Sequence, residues 1–370
     1  MLKLNRLRLR GFKSICETDM EFGSMNVLIG ANGAGKSSVL DFFRLLNEMV
    51  AGRLQQFIAE QGCAQSLLFH GPRRTPQLEA ELEFETDAGR YLYEMRLSHA
   101  AGDTLVFASE SLEFQRTGVA TRPQPVSLGA GHVESRIRDE ADRGLPNAKD
   151  FRHLLSTCGV YHFHDTSSTA RVRQAGCVSD QKLLTYDAGN LAAFLYGLKK
   201  LDDTGAYRRI AGTIQLIAPF FEDFDLGPGW PGGKEIFLNW RKKGSDQLFG
   251  PHQLSDGTLR AMCLVTLLLQ PIETMPRLII VDEPELGLHP CALNVIAGLF
   301  QSASRRTQVL VSTQSSAFLD NFDPEDVVVV DRNAGGSVFS RPDLNKLSAW
   351  LEEYSLGEVW EKNILAGGPH

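Results

Sequence analysis

The chain has 370 residues, 43% hydrophobic and 22% charged, enough for two lobes with substantial cores. Its formal net charge of −7 excludes a global cationic field, so any nucleic-acid site must be local. No apolar run approaches the roughly 20 residues that span a bilayer, and the first residues lack the apolar core of a signal peptide, so a cytoplasmic protein with no membrane association is expected.

Residues 2–10 read as an edge strand, Gly11-Phe12-Lys13-Ser14-Ile15 as a turn, and residues 17–22 as the partner strand. Residues 25–29 form a short apolar run of strand type, and residues 38–46 place apolar side chains at helical spacing. Between them Gly30-Ala31-Asn32-Gly33-Ala34-Gly35-Lys36-Ser37 fits G-x-x-x-x-G-K-[ST], a nucleotide-phosphate loop in its proper strand-to-helix setting. The three glycines let successive N–H groups turn toward phosphates, and the helix starting near Lys36 adds its N-terminal partial charge. Asn32 and Ala34 belong to the same cradle. Lys36 is placed to bridge the β- and γ-phosphates and Ser37 to ligate Mg²⁺. Ser38 is either a phosphate contact or a helix-start residue. A glycine-rich turn without a ligand is the bland alternative, and the flanking strand and helix argue against it.

Residues 77–86, 90–98 and 104–115 read as an antiparallel meander, with Asp87-Ala88-Gly89 as a hairpin signal. Residues 117–146 lack periodicity and are expected as a long loop or insert. His162 and His164 share one face if extended, but no third ligand completes a metal set, so a structural or nucleotide-proximal place is favoured. Leu191, Phe194, Leu195 and Leu198 define a helix, and a second helix is expected over residues 207–221. Six cysteines (Cys16, Cys63, Cys158, Cys177, Cys263 and Cys291) show no C-x-x-C spacing and are expected mostly as buried thiols.

Leu254-Ser255-Asp256-Gly257-Thr258 precedes the apolar helix 259–269. Its hydroxyl and free N–H groups make either an anion site or an ordinary helix cap. The apolar strand 278–281 runs into Asp282 and Glu283, which puts two carboxylates at the carboxyl edge of a parallel sheet; a plain strand exit reads the same way. A helix over 291–303 and strands over 308–312, 326–331 and 337–340 follow, alternating as a parallel sheet requires. A helical segment over 342–360 and a Gly367-Gly368-Pro369 tail close the chain. There are no sustained heptads.

In this order the motifs resemble the ATPase heads of the ABC superfamily, in the RecF, Rad50 and SMC branch. The likeness is nearest to the stand-alone RecF-like ATPases of bacteria, which share the phrases Tyr161-His162-Phe163-His164-Asp165-Thr166-Ser167 and Trp360-Glu361-Lys362-Asn363. Residues 254–258 look like a variant Leu-Ser-Gly-Gly signature, and residues 282–290 like a Walker B plus D-loop. Val309-Leu310-Val311-Ser312-Thr313-Gln314-Ser315 looks like the strand carrying the switch residue. The fold implied is an α/β P-loop NTPase of ABC-ATPase type, with a parallel core sheet, an antiparallel β subdomain and a helical lobe. The expected divisions are residues 1–186, 187–250 and 251–370.

The resemblance further implies ATP and Mg²⁺ as cofactors, with Ser37 and Asp282 in the metal shell and Glu283, Lys36 and Gln314 as catalytic residues. It implies a homodimer burying ATP at its interface, with Ser255 and Gly257 reaching the nucleotide of the other copy. The partner is DNA or an effector protein; a transporter subunit is the least fitting alternative. DNA candidates are Lys3, Arg6, Arg8, Arg10 and Lys13, Arg136 with Arg138, Arg171 with Arg173, and Arg241-Lys242-Lys243 in a hairpin turn; a solvated charged face is the bland reading of each, and Arg171 and Arg173 could as easily serve the nucleotide. A Q-loop falls at Gln65 or within residues 162–165. Two departures stand out. Gln314 replaces the usual transporter histidine and cannot carry a proton, so slow turnover is expected. Asp256 replaces glycine and either sets an acid near the partner's nucleotide or caps the helix, facing away.

Overall fold

A computed structural model describes residues 3–119, 123–201, 204–229, 232–365 and 367–368; Leu2 and Pro369, assigned above to the first strand and the tail, lie outside them. The chain divides into two interleaved units. Unit 1 comprises Met1–Val160, Arg277–Ile280 and Gln308–His370; unit 2 comprises Tyr161–Pro276 and Val281–Thr307.

Unit 1 opens with β1 (Lys3–Phe12), β2 (Ile15–Glu21), β3 (Met25–Ile29) and helix α1 (Lys36–Val50). Short helices α2 (Leu54–Glu60) and α3 (Cys63–Leu67) lead to the meander β4 (Gln77–Thr86), β5 (Gly89–Ala100) and β6 (Thr104–Arg116). Then come β7 (Val126–Gly129), α4 (Ile137–Asp142), α5 (Ala148–Ser156) and β8 (Cys158–Tyr161). The antiparallel sheet has the order β2-β1-β4-β5-β6-β7, so β1 is an inner strand and β2 the edge, contrary to the sequence expectation. Along β1, Leu7 and Leu9 face the core while Arg8 and Arg10 face outward, the period-2 pattern of a half-buried strand. Leu82, Phe84 and Tyr93 from this sheet and Phe42, Phe43 and Leu46 from α1 belong to one buried cluster. Each such side chain contributes about 1.5–3 kcal/mol by leaving water.

Among the described residues, which leave out 120–122, the stretch 117–146, expected as a long loop or insert, contains β7 and α4. The cause is a buried carboxylate. Glu110, 1% exposed, accepts from the Tyr93 hydroxyl at 2.8 Å, the Arg136 amide at 3.1 Å and the Ser135 hydroxyl, and lies 2.9 Å from His132 Nε2. A buried carboxylate is tolerable only when so fully partnered, and the partnering fixes the segment.

Unit 2 carries β9 (Gly176–Cys177), α6 (Leu191–Lys200), α7 (Ala206–Ile217), β10 (Phe221–Phe224), β11 (Glu235–Ile236), β12 (Trp240–Lys242), β13 (Leu248–Phe249) and α8 (Asp256–Leu269). β14 (Leu278–Asp282) begins in unit 1 and ends in unit 2, followed by α9 (Pro290–Ser304). Among the described residues, 187–250 thus hold two helices and four short strands. The second helix stops at Ile217, and residues 221–224 pair with β12 instead. Arg241 and Lys242 lie on β12 rather than in the turn. Helices α7, α8 and α9 pack on one another.

Unit 1 resumes with β15 (Gln308–Thr313), α10 (Ser316–Leu319), β16 (Val327–Asn333), β17 (Gly336–Ser340), α11 (Leu344–Leu351) and α12 (Leu356–Glu361), the last two replacing one expected helix. The second sheet has the order β17-β16-β3-β15-β14-β8. β3 runs parallel to both β15 and β16, with Ile29 opposite Thr313 and Val329. β3 and β15 are buried along their whole length, as strands covered on both faces must be. Both end at the same edge, which sets the residues after Ile29 beside those after Thr313. No helix among the described residues is long and apolar enough to cross a membrane.

Candidate functional site

The loop after β3 is shaped by close backbone approach. A Cβ on Gly30 would lie 2.2 Å from the Val330 carbonyl oxygen, so β16 excludes any side chain there. Gly33 (φ 78°) and Gly35 (φ 115°) are left-handed, and a Cβ on Gly35 would lie 2.0 Å from Ser337 Oγ. Gly35 starts α1 with no side-chain cap, and the first turn carries no acid. The helix therefore opens with backbone N–H groups unclaimed by any cap, which suits an anion. The Lys36 ammonium is buried and turned onto the loop, donating to the carbonyls of Gly30 (2.6 Å) and Ala31 (3.2 Å). Ser37 and Asn32 are exposed, and Ala34 is buried. Ser38 is buried, third in α1, with Oγ 2.8 Å from Ser14 Oγ, which accepts from Ser337 Oγ at 2.7 Å. The glycine cradle and the uncapped helix start fit a triphosphate.

Gln314 opens into a cleft lined by Ala31, Asn32, Ser315, Ser316, Trp360 and Glu361. α12 forms one wall. The Gly357 amide donates to Asp320 Oδ1 at 2.6 Å, and a Cβ on Gly357 would lie 2.5 Å from the Ser316 carbonyl oxygen. The Gly367 carbonyl accepts from both the Trp360 indole (3.1 Å) and the Ala31 amide (3.2 Å), which ties the closing phrase to the phosphate loop. The sequence offered that phrase only as part of a resemblance.

In unit 2, β14 ends on Asp282, and Glu283 adopts φ 40°, a left-handed conformation in a non-glycine residue. Such backbone strain costs on the order of 1–3 kcal/mol and gathers where geometry serves function. His164 Nε2 lies 2.9 Å from the Asp282 carbonyl oxygen, and the His162 and His164 rings are 5.7 Å apart, although both lie past the end of β8. Among the described residues no group of three or more His, Cys, Asp or Glu side chains could hold a metal.

Ser255 is the N-cap of α8. Its Oγ accepts from the Thr258 amide at 3.2 Å, lies 2.8 Å from Thr258 Oγ1, and is exposed. Gly257 is the packing point, since a Cβ there would lie 2.1 Å from the Gly287 carbonyl oxygen. Two arginines hold this loop. Arg260 donates to Phe163 O (3.1 Å), His164 O (2.7 Å) and Leu286 O (2.9 Å), joining the signature helix to the 161–167 phrase and the D-loop. Arg173, 5% exposed, donates to Thr166 O (2.8 Å), Leu254 O (3.2 Å), Pro251 O and Asp256 Oδ1 (2.8 Å). Asp256 does not cap α8, a role Ser255 fills; its carboxylate accepts from Arg173. Sequence spacing gave no signal for either arginine's role, because their contacts lie up to 97 positions away.

Several DNA candidates are already engaged. Arg173 is buried and cannot meet a backbone phosphate. Arg6 and Arg8 both pair with Asp19, Arg8 also with Glu81, Lys13 with Asp41 at 2.6 Å, Arg171 with Asp187 and Arg241 with Asp225. The Arg6 hydrogen bond holds the Asp19 carboxyl below its usual range. Lys242 and Lys243 are exposed. Of the cysteines only Cys158 and Cys263 are buried, with thiols pushed up to about 12 by desolvation; Cys16, Cys177 and Cys291 are exposed, against expectation.

Two protein families match. Residues 6–127 match an "AAA domain" model, and residues 181–320 match one described as "AAA domain, putative AbiEii toxin, Type IV TA system". The "DNA double-strand break repair Rad50 ATPase" of Sulfolobus acidocaldarius is 26% identical over 196 residues, 48% of this chain. The match spans only 21% of that relative's length. Among solved structures, an SMC head bound to the C-terminal winged-helix domain of ScpA superposes with a TM-score of 0.61 at 15% identity, covering 94% of this chain and 99% of that one. An SMC head with an extended coiled coil, bound to the ScpA C-terminal domain from Pyrococcus furiosus, gives 0.57 at 15% identity, covering 95% and 99%. Two stretches of the chain thus match AAA-domain models, its fold is that of SMC heads, and part of its sequence is similar to a Rad50 ATPase.

Proposed function

We propose that the chain is an ATPase head that pairs head-to-tail with a second copy around ATP, works in the cytoplasm, and acts on DNA in repair, recombination or defence against foreign DNA. The observation that carries this reading is the exposed Ser255 hydroxyl at the start of α8 in a chain that also holds a complete phosphate loop. One copy thereby offers a cradle and a second, separate anion contact. Supporting it are the SMC-head fold and the Rad50 similarity.

In this reading the N–H groups of Gly33, Gly35 and Lys36 hold the phosphates, with Asn32, Ala34, Ser38 and the carbonyl of Gly30 shaping the loop. Lys36 turns from the Gly30 and Ala31 carbonyls to the β- and γ-phosphates. Ser37 and Asp282 would hold Mg²⁺, which when bound supplies charge neutralisation at the phosphate oxygens. The Glu283 carboxylate takes a proton from the attacking water, on a residue whose backbone is left-handed. The Gln314 amide orients that water without accepting its proton, which makes turnover slow. Ser255 and the Gly257 amide act on the other copy's nucleotide.

With ATP present, Glu283→Gln is expected to accumulate a dimer by size exclusion with light scattering, while turnover falls about 10²- to 10⁴-fold. Native turnover would remove Glu283 from the mechanism. A mixture of Ser255→Arg and Lys36→Ala should form at most one working site per dimer.

A second reading, an ATP switch acting on an effector protein without DNA binding, is favoured by the paired state of Arg6, Arg8 and Lys13. ATP-dependent DNA binding that weakens steeply with salt supports the first reading; no binding at low salt supports the second.

A further inference from the structure

The acid in the signature loop carries a consequence for how two copies meet. Asp256 is the first residue of α8, and its side chain is 65% exposed. An anion at that position repels an incoming phosphate and opposes what the helix start and the Ser255 hydroxyl offer. Arg173 sits directly behind it. Its guanidinium is buried, and its carbonyl partners Thr166, Pro251 and Leu254 satisfy hydrogen bonds but bring no countercharge. Asp256 supplies that charge at 2.8 Å. The two departures from a neutral loop, a buried cation and an exposed acid, therefore cancel in place. The same guanidinium holds the carbonyl of Leu254, the residue before Ser255, so it also fixes where the serine stands.

We propose that Arg173 is the positioning residue of the signature loop: it neutralises Asp256 and sets Ser255, so that the loop can receive the triphosphate bound by a second copy. This rests on the ATP-sandwich reading. It predicts that Arg173 matters for pairing through charge, not only through anchoring, and that the acid is dispensable once the cation is gone.

The test uses the full chain with Glu283→Gln as parent, ATP and Mg²⁺, and sedimentation velocity as the measure of pairing. Arg173→Met should weaken ATP-driven pairing about tenfold or more, and adding Asp256→Asn should recover most of that loss. Asp256→Asn alone should pair at least as tightly as the parent at low salt and lose more affinity as salt rises, because the cation is then uncompensated. If the parent forms no ATP-dependent dimer, the sandwich reading falls and this assignment falls with it. If the parent pairs but Arg173→Met pairs equally well, or the double variant stays as weak as Arg173→Met, only the Arg173 assignment falls. Should Arg173→Met not fold, Asp256→Asn decides alone: weaker pairing at low salt overturns the assignment.

Discussion

The two helix starts that would meet phosphate are built in opposite ways. α1 begins on a left-handed glycine, has no side-chain cap and carries no acid in its first turn. α8 begins on a serine that caps the helix itself, with an acid in the first turn backed by a buried arginine. The first has no side chain of its own over the helix start, which suits an anion. The second is internally satisfied. That contrast fits their proposed use, since a phosphate loop can keep its ligand while a signature loop must stay ordered between encounters with another copy.

If the contrast is right, the largest effect comes from crowding the first start. Gly35→Ala puts a methyl where Ser337 Oγ stands and forces φ 115° on an alanine, so a loss of about 1–3 kcal/mol is expected. Thermal melting should fall by several degrees and labelled ATP should no longer bind; native affinity would show that the loop does not need that geometry. Ser255→Ala removes the α8 cap, at a cost of about 1 kcal/mol, together with the hydroxyl offered to the other copy, and should leave ATP binding by the single copy intact while pairing weakens. Equal damage to both properties would erase the distinction between the two starts.

The smallest effect isolates the first site's scaffold. Asp326 lies just before β16, the strand whose Val330 carbonyl fills the space beside Gly30. Burial first, then Asp323, raises its carboxyl to about 6. The folded state thus holds a proton that the unfolded state releases near pH 4, so this group favours folding below about pH 4 and loses that contribution as pH rises to about 6. Asp326→Asn should therefore raise the melting temperature slightly at pH 7 and not at pH 4. A gain of equal size at both would assign the effect to something other than titration.

The phosphate loop, the meander and the strands around β15 were legible because they rest on local pattern: glycines before a lysine, alternation, and apolar runs bounded by turns. Even there the reason for Gly30 was hidden, because it is Val330, far along the chain, that forbids a side chain. The ordering of residues 126–142 was illegible for the same cause. It depends on Glu110 meeting His132, Ser135 and Arg136, and no periodicity encodes a buried carboxylate's partners. Arg173 read as a surface cation in a short basic pair, yet its contacts place it beneath the signature loop. Side-chain anchors across 78 to 97 positions leave no trace in spacing.

The Gly367 carbonyl that accepts from the Ala31 amide bears on biogenesis. A nascent polypeptide emerges with its nucleotide loop made on the order of tens of seconds before that acceptor at ordinary synthesis rates. Leu4 waits in the same way for Gln308, 304 positions on. Until residue 367 has been made, the loop after β3 lacks the brace that holds its Ala31 amide in the folded chain.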